Sequence, residues 1–285
     1  AVIDTGVATD HADLRNRLLD QACFCSAQAG SGGCCPNGSA TQTGPGAAED
    51  DNGHGTNVAG IVVGEGTQAP RGALPAARLI AVKVIGGDNR FCCTSDVVAA
   101  MDWVATHHPD VAAVNLSLGT DAVYAGDCDG ANAWTQALAS AVHALVSNGA
   151  VVTVSSGNEG DLQGMSAPAC VRDAFSVAAT WSFDYGSTTF LGCSEVAVLL
   201  KPTCFSNRGA TTDLFAAGAY VTSTGYTGGT SSYGGTSQAA PMAAACAVAL
   251  KQAAPAATVA QRMDAMTLSR IRIPDPASGR VYAFL

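Results

Sequence analysis

The chain has 285 residues, 14 Lys and Arg against 23 Asp and Glu, and a formal charge of −9 at pH 7; it is 48% apolar and only 13% charged. That balance excludes a disordered chain, and an acidic chain with no Lys/Arg cluster excludes a nucleic-acid binder. No apolar run approaches the roughly 20 residues of a membrane span.

In chain order, AVID (1–4) is a predicted strand, and residues 21–52 read as a Cys- and Gly-rich surface loop. A helix is predicted over 54–63, beginning at His54, and RLIAVKV (78–84) is the next strand. Ser95 caps a helix over 96–107, with Val97, Val98, Met101, Val104 and Ala105 on one face. Strand 111–116 (VAAVNL), helix 131–148, strand 150–154 (AVVTV) and strand 175–179 (FSVAA) follow. Residues 181–212 read as a second surface loop, and helices over 237–253 and 258–268 close the set. Short continuous apolar runs suit strands buried on both faces. Their alternation with helices predicts an α/β fold in three layers, a mostly parallel central sheet with helices on both faces. No linker or repeat interrupts 1–285, which reads as a single domain.

The eleven cysteines point to disulfides, and so to an oxidising compartment and secretion. The rival is a metal site on Cys23, Cys25, Cys34 and Cys35, whose C-x-C and C-C spacings do not match the usual C-x₂-C knuckles. The chain shows no signal peptide and opens without an initiator Met inside an apolar strand, as a mature or trimmed product would.

Reactive groups in such sheets gather at the carboxyl ends of strands and at the helix starts that follow. Four stretches fit. DTG (4–6) ends the first strand, GHGTNVAGIVV (53–63) puts His54 at a helix start, and VTVSSGNEG (152–160) ends a strand at Asn158. GGTSQAAPMAAA (234–245) puts Ser237 at a helix N-terminus, where N–H groups and the dipole favour developing negative charge. Singly, each is a common turn or cap. A serine hydroxyl is a good nucleophile only beside a base that a third group orients, and together the four supply all three parts.

These motifs resemble the subtilases, the subtilisin-like serine peptidases, and especially Cys-rich bacterial members. The resemblance runs from Ala1 to about Leu268 through DTGVATDHADL, HGTNVAGIV, AVKV, NLSLG, GNEG, CFSNRG, DLFAAG and GTSQAAP. The order Asp, His, Ser is the subtilisin order. The resemblance implies a broad-specificity endopeptidase with Ser237 as nucleophile, His54 as base and then acid, and Asp4 orienting His54. Asn158 and the Ser237 N–H would form the oxyanion hole. Ser117, Leu118 and Gly119 would form one edge of the substrate cleft, and Ser155, Ser156 and Gly157 the other. Ser166 would lie near the base of an uncharged S1 pocket that favours large apolar P1 residues, with Glu159 at its rim. His54 and Asn158 separate the chain from the acid-working sedolisins. The resemblance further implies polypeptide substrates, a propeptide in the precursor, a monomer, no nucleic-acid or membrane partner, and no cofactor for the chemistry. It also implies a structural calcium held by Arg172, Ala174 and Asp213, oxygen donors that suit a hard cation.

The chain departs from the family pattern in two places. Only three residues precede Asp4, where the family has a longer segment, so the chain reads as a cropped domain, and Met242 stands where the family has His. The second departure keeps open a pseudopeptidase that acts as a binding or scaffold domain. An esterase would show a G-x-S-x-G elbow, and the chain has G-T-S-Q-A instead. Among the cysteines, Cys193–Cys204 and Cys128–Cys170 are the expected pairs. Cross-links are expected among Cys23, Cys25, Cys34, Cys35, Cys92 and Cys93, with neither adjacent doublet bonded to itself. Cys246 is expected as a free thiol on the buried face of its helix, beside Ala243 and Leu250.

Overall fold

The computed structural model describes residues 1–27, 32–90 and 92–285. The first half runs β1 (Val2–Asp4), β2 (Leu18–Phe24), β3 (Thr41–Thr43), α1 (His54–Val63), β4 (Leu79–Lys83), α2 (Thr94–His107), β5 (Ala113–Leu116), β6 (Val123–Tyr124) and α3 (Ala133–Ser147). The second half runs β7 (Val151–Ser155), β8 (Met165–Ser166), β9 (Phe175–Trp181), β10 (Gly186–Phe190), β11 (Cys193–Ala197), β12 (Leu214–Ala219), β13 (Val221–Thr224), β14 (Thr230–Tyr233), α4 (Thr236–Ala253), α5 (Val259–Thr267), β15 (Arg272–Asp275) and β16 (Arg280–Phe284).

The main sheet has the order β15-β16-β12-β9-β7-β5-β1-β4-β2-β3. From β16 to β2 every pairing is parallel, and antiparallel strands close both edges. Successive residues of a strand face opposite sides, and the core divides accordingly. Ile3, Val114 and Val152 pack with α2 and α3 on one face. Ala113, Val151 and Phe175 pack with α4 on the other, and Val2 packs with α1 on that same side. This is the three-layer α/β arrangement expected from the sequence.

Both long loops hold more structure than expected. Leu18–Phe24 pairs with β4 inside the main sheet, its period hidden by Asp20 and Gln21 at half-exposed positions. The 181–212 stretch contains the β10–β11 hairpin and then a buried segment, Thr203 and Phe205 to Arg208.

The disulfides are Cys23–Cys35, Cys25–Cys34, Cys92–Cys93, Cys128–Cys170 and Cys193–Cys204, and Cys246 is free. The expectation that Cys92 and Cys93 bond elsewhere is corrected. The two pairs inside the 23–35 loop consume its four thiols and leave the doublet only itself. Cys246 is half-buried and borders an apolar cavity with Met242 and Ala245, and desolvation raises its thiol pKa.

Candidate active site

Asp4 is the last residue of β1, and His54 is the first of α1. The two meet because α1 starts hard against the turn after β1. A Cβ on Gly55 would lie 2.2 Å from Gly6 O and 3.0 Å from Asp4 Cβ, so only glycine permits the approach. His54 Nδ1 donates to Asp4 Oδ1 at 2.7 Å, and the Thr5 N–H donates to the same oxygen. Asp4 is wholly buried, and its Oδ2 has no hydrogen-bond partner among the described residues.

A second buried carboxylate, Asp50, accepts from the Thr5 hydroxyl and from the N–H groups of Asn52 and Gly53. It also accepts from the Thr56 N–H and hydroxyl. Burial opposes protonation of His54. The charge of Asp4, its hydrogen bond and the charge of Asp50 outweigh that, and the His54 pKa rises above 6.5. Lys83, 1% exposed, closes this side, with Nζ donating to Thr5 O, Ile85 O and Asp51 Oδ1.

Ser237 is the second residue of α4, so its N–H is among those with no acceptor inside the helix. Pro241 lies inside the same helix. A proline has no N–H to give the carbonyl four residues back, which here is Ser237 O. The Ser117 hydroxyl donates to that oxygen at 2.7 Å instead. Asn115 Nδ2 donates to Ser117 Oγ, and the Thr153 hydroxyl donates to Asn115 Oδ1. A buried polar relay therefore runs from the middle of the sheet to the backbone of Ser237.

His54, Ser237, Ser117, Leu118 and Gly119 line one cavity of about 530 Å³. Within it, the Ser237 hydroxyl donates to Ser117 O at 3.3 Å, and no hydrogen bond joins it to His54.

Asn158 follows β7 on the far side of Thr236. The Thr236 N–H, a donor only, points at Asn158 Oδ1 at 2.9 Å, and the Thr236 hydroxyl donates to the same oxygen. This fixes the amide orientation and leaves Nδ2 with no acceptor among the described residues. Ser155 Oγ donates to Leu118 O, which bridges the two edges expected to flank a substrate.

Glu159, expected at a pocket rim, reaches Ser166. Ser166 is buried against both edges, since a Cβ on Gly119 would lie 3.1 Å from its Cβ and one on Gly157 2.4 Å from its Oγ, and its hydroxyl donates to Glu159 Oε2 at 3.2 Å. The sequence gives no period or motif that says which way Glu159 turns. It also gave no role to Asn207, which is fully buried and bonds to Glu159, Asp161 and Ser166.

Arg172, Ala174 and Asp213 share a separate cavity of about 220 Å³. Burial pushes the Asp213 carboxyl up to about 6, although the Ser176 N–H and hydroxyl both donate to it. No cationic side chain pairs with it among the described residues. A desolvated carboxylate with no such partner, opening on this cavity beside Arg172 and Ala174, is a donor that fits a hard cation.

The sequence profile of the subtilase family matches residues 1–276, and the chain belongs to that family. It is 32% identical over 267 residues to an extracellular serine proteinase of Thermus sp. (strain Rt41A), covering 93% of this chain and 53% of that protein. It is 33% identical over 257 residues to subtilisin BL of Lederbergia lenta, covering 90% and 76%. The chain thus spans about half the length of the Thermus relative. The crystal structure of a cold-adapted subtilisin-like serine proteinase superposes with a TM-score of 0.70 at 26% identity, over 100% of this chain and 86% of that one.

Proposed function

We propose that the protein is a secreted serine endopeptidase, one catalytic domain over 1–285, that works through Ser237, His54 and Asp4. The observation that carries this is the 2.7 Å bond from His54 Nδ1 to a buried carboxylate, with Ser237 opening on the same cavity as His54. The hydroxyl of Ser237 leaves Ser117 O, and His54 Nε2 takes its proton as Oγ attacks the scissile carbonyl. Asp4 holds the Nδ1 proton and stabilises the imidazolium. The oxyanion receives hydrogen bonds from Asn158 Nδ2 and the Ser237 N–H. His54 then protonates the leaving amine, and water attacks the acyl-enzyme by the same route.

Substrate backbone pairs with Ser117–Gly119. The S1 pocket lies between that edge and Ser155–Gly157, and it accepts large apolar P1 residues. Glu159 on Ser166 adds Lys and Arg to that range. Secretion rests on the five disulfides and on the extracellular relative. A calcium ion held by the carbonyls of Arg172 and Ala174 and the carboxylate of Asp213 would supply structural cross-linking and take no part in the chemistry.

The alternative, a catalytically impaired binding domain, draws on the Ser237 hydroxyl being turned to Ser117 O. A fluorophosphonate separates the two. The peptidase reading expects covalent labelling that Ser237→Ala abolishes. An unlabelled wild type refutes it.

A further inference from the structure

The loop 156–161, which carries Asn158, belongs to no helix or strand. An oxyanion donor there needs a support that its own backbone does not give. The segment 205–208 provides it. Asn207 N donates to Gly157 O, and Asn207 O accepts from the Ser156 hydroxyl at 2.7 Å. Its side-chain Oδ1 accepts from the N–H groups of Glu159 at 3.1 Å and Asp161 at 2.8 Å. Its Nδ2 donates to Glu159 Oε2, and that same oxygen accepts from the Asn158 N–H at 3.0 Å. On either side, Gly160 N donates to Phe205 O and Arg208 N to Asp161 O. The fit is close enough that a Cβ on Gly157 would lie 2.3 Å from Asn207 Nδ2.

Resting on the peptidase reading above, we propose that Asn207 is the positioning residue of the oxyanion hole. It fixes the residues on both sides of Asn158 and so aims Asn158 Nδ2. The chemistry selects an amide. One fully buried side chain must accept two N–H bonds and also donate to a carboxylate. Alanine does neither. Aspartate keeps the acceptors but sets a second carboxylate against Glu159.

The segment is itself clamped from elsewhere. Arg208 is buried, donates to Thr203 O and Ser206 O, and pairs with Asp275 of the C-terminal hairpin. Asn207 therefore works from a rigid base.

The test is a double-mutant cycle with Asn158→Ala, after labelling has shown the wild type to be active. Asn207→Ala should lower kcat about 10- to 100-fold, the scale of a misplaced catalytic group. KM should change by less than about threefold, since the loss falls in the transition state. In the Asn158→Ala background the same substitution should cost less than about threefold, because the group it aims is gone. Asn207→Asp, which keeps the acceptors but sets a second carboxylate against Glu159, should lower kcat on the same scale with KM little changed; this variant carries the cycle if Asn207→Ala does not fold. Equal loss in both backgrounds, or an unchanged kcat in the single variants, overturns the proposal. An unlabelled wild type overturns the peptidase reading itself.

Discussion

The two sides of the cleft are held by different chemistry. The base side is pinned by ionised groups: Asp4 under His54, Asp50 beneath the start of α1, and Lys83 across Thr5 and Asp51. The oxyanion side is pinned by neutral amides and hydroxyls, with Thr236 on Asn158, Asn207 on the 156–161 loop, and Asn115 on Ser117. That side has carboxylates too, but each is turned onto donors: Glu159 onto Ser166 and Asn207, Asp161 onto the N–H groups of Gln163 and Gly164, and Asp275 onto Arg208. The contrast follows from the charges of the proposed reaction. An imidazolium must form on one side, and buried carboxylates favour it. An oxyanion must form on the other, where a neutral donor stabilises it and an unpaired carboxylate would oppose it.

The strongest break of this comparison is at Asp4. Asp4→Asn should keep the fold and lower kcat by about 10⁴, because it removes the charge and disfavours the required His tautomer. Ser237→Ala should cost at least about 10³ in kcat, and combining the two should add little, as triad members act as a unit. A multiplicative loss in the double variant would show that the two residues do not act together.

The base side should also set the acid limb of activity. His54 must be neutral to accept a proton, and Asp4 and Asp50 hold its pKa above 6.5. The kcat/KM profile of the free enzyme should therefore fall, as pH is lowered, with a midpoint above 6.5. A midpoint well below 6.5 would contradict the electrostatic account of this side.

How much of this was legible in the sequence differs between the sides as well. Asp4, His54 and Ser237 were legible because strand ends and helix starts carry reactive groups, and short motifs mark both. Five buried parallel strands, β1, β4, β5, β7 and β9, were legible as unbroken apolar runs, whereas β12, buried and parallel as well, was not among the predicted strands. Leu18–Phe24 was not legible, because β3 covers only Ala22–Phe24, so Asp20 and Gln21 stay half-exposed and break the run. Asn207 was visible only as part of the stretch CFSNRG. Its role depends on a loop nearly fifty residues away, at a separation of 48 from Glu159, and no local period encodes such a contact. The orientation of Glu159 was hidden for the same reason.

Smaller effects concern stability. Calcium should raise the melting temperature of the wild type and leave Asp213→Asn unchanged, with a stabilisation of about 2.7 kcal/mol at a hundredfold excess over Kd. Equal shifts in both proteins would place any ion elsewhere. Ser117→Ala should cost about 1–3 kcal/mol, because Pro241 gives no N–H to replace the lost donor on Ser237 O. If that cost is absent, the relay from Thr153 is not what supports the start of α4.

The smallest effect tests whether acid opens the base side first. Asp13, in the turn after β1, holds the loop after α1. Its carboxylate accepts from the Thr67 hydroxyl and from the N–H groups of Thr67, Gln68 and Ala69. Burial opposes ionisation here, but those hydrogen bonds outweigh it and hold the pKa at about 2, against an ordinary 3.8. The sign follows from the lowered value. The stabilisation is complete above pH 3.8 and is lost as pH falls towards 2, and it amounts to on the order of 1–2 kcal/mol. The amides of Gly160 and Asp161 bond instead to Phe205 O and Asn207 Oδ1, neither of which takes up a proton in this range. Hydrogen exchange followed from pH 5 to pH 2.5, corrected for intrinsic rates, should therefore show Thr67–Ala69 losing protection while Gly160 and Asp161 keep theirs. Asp13→Asn should abolish the pH dependence at Thr67–Ala69 and leave the oxyanion loop unchanged. Simultaneous loss of protection in both segments would show that acid unfolds the cleft as one unit, and the division between an ionic and a neutral side would then have no bearing on its stability.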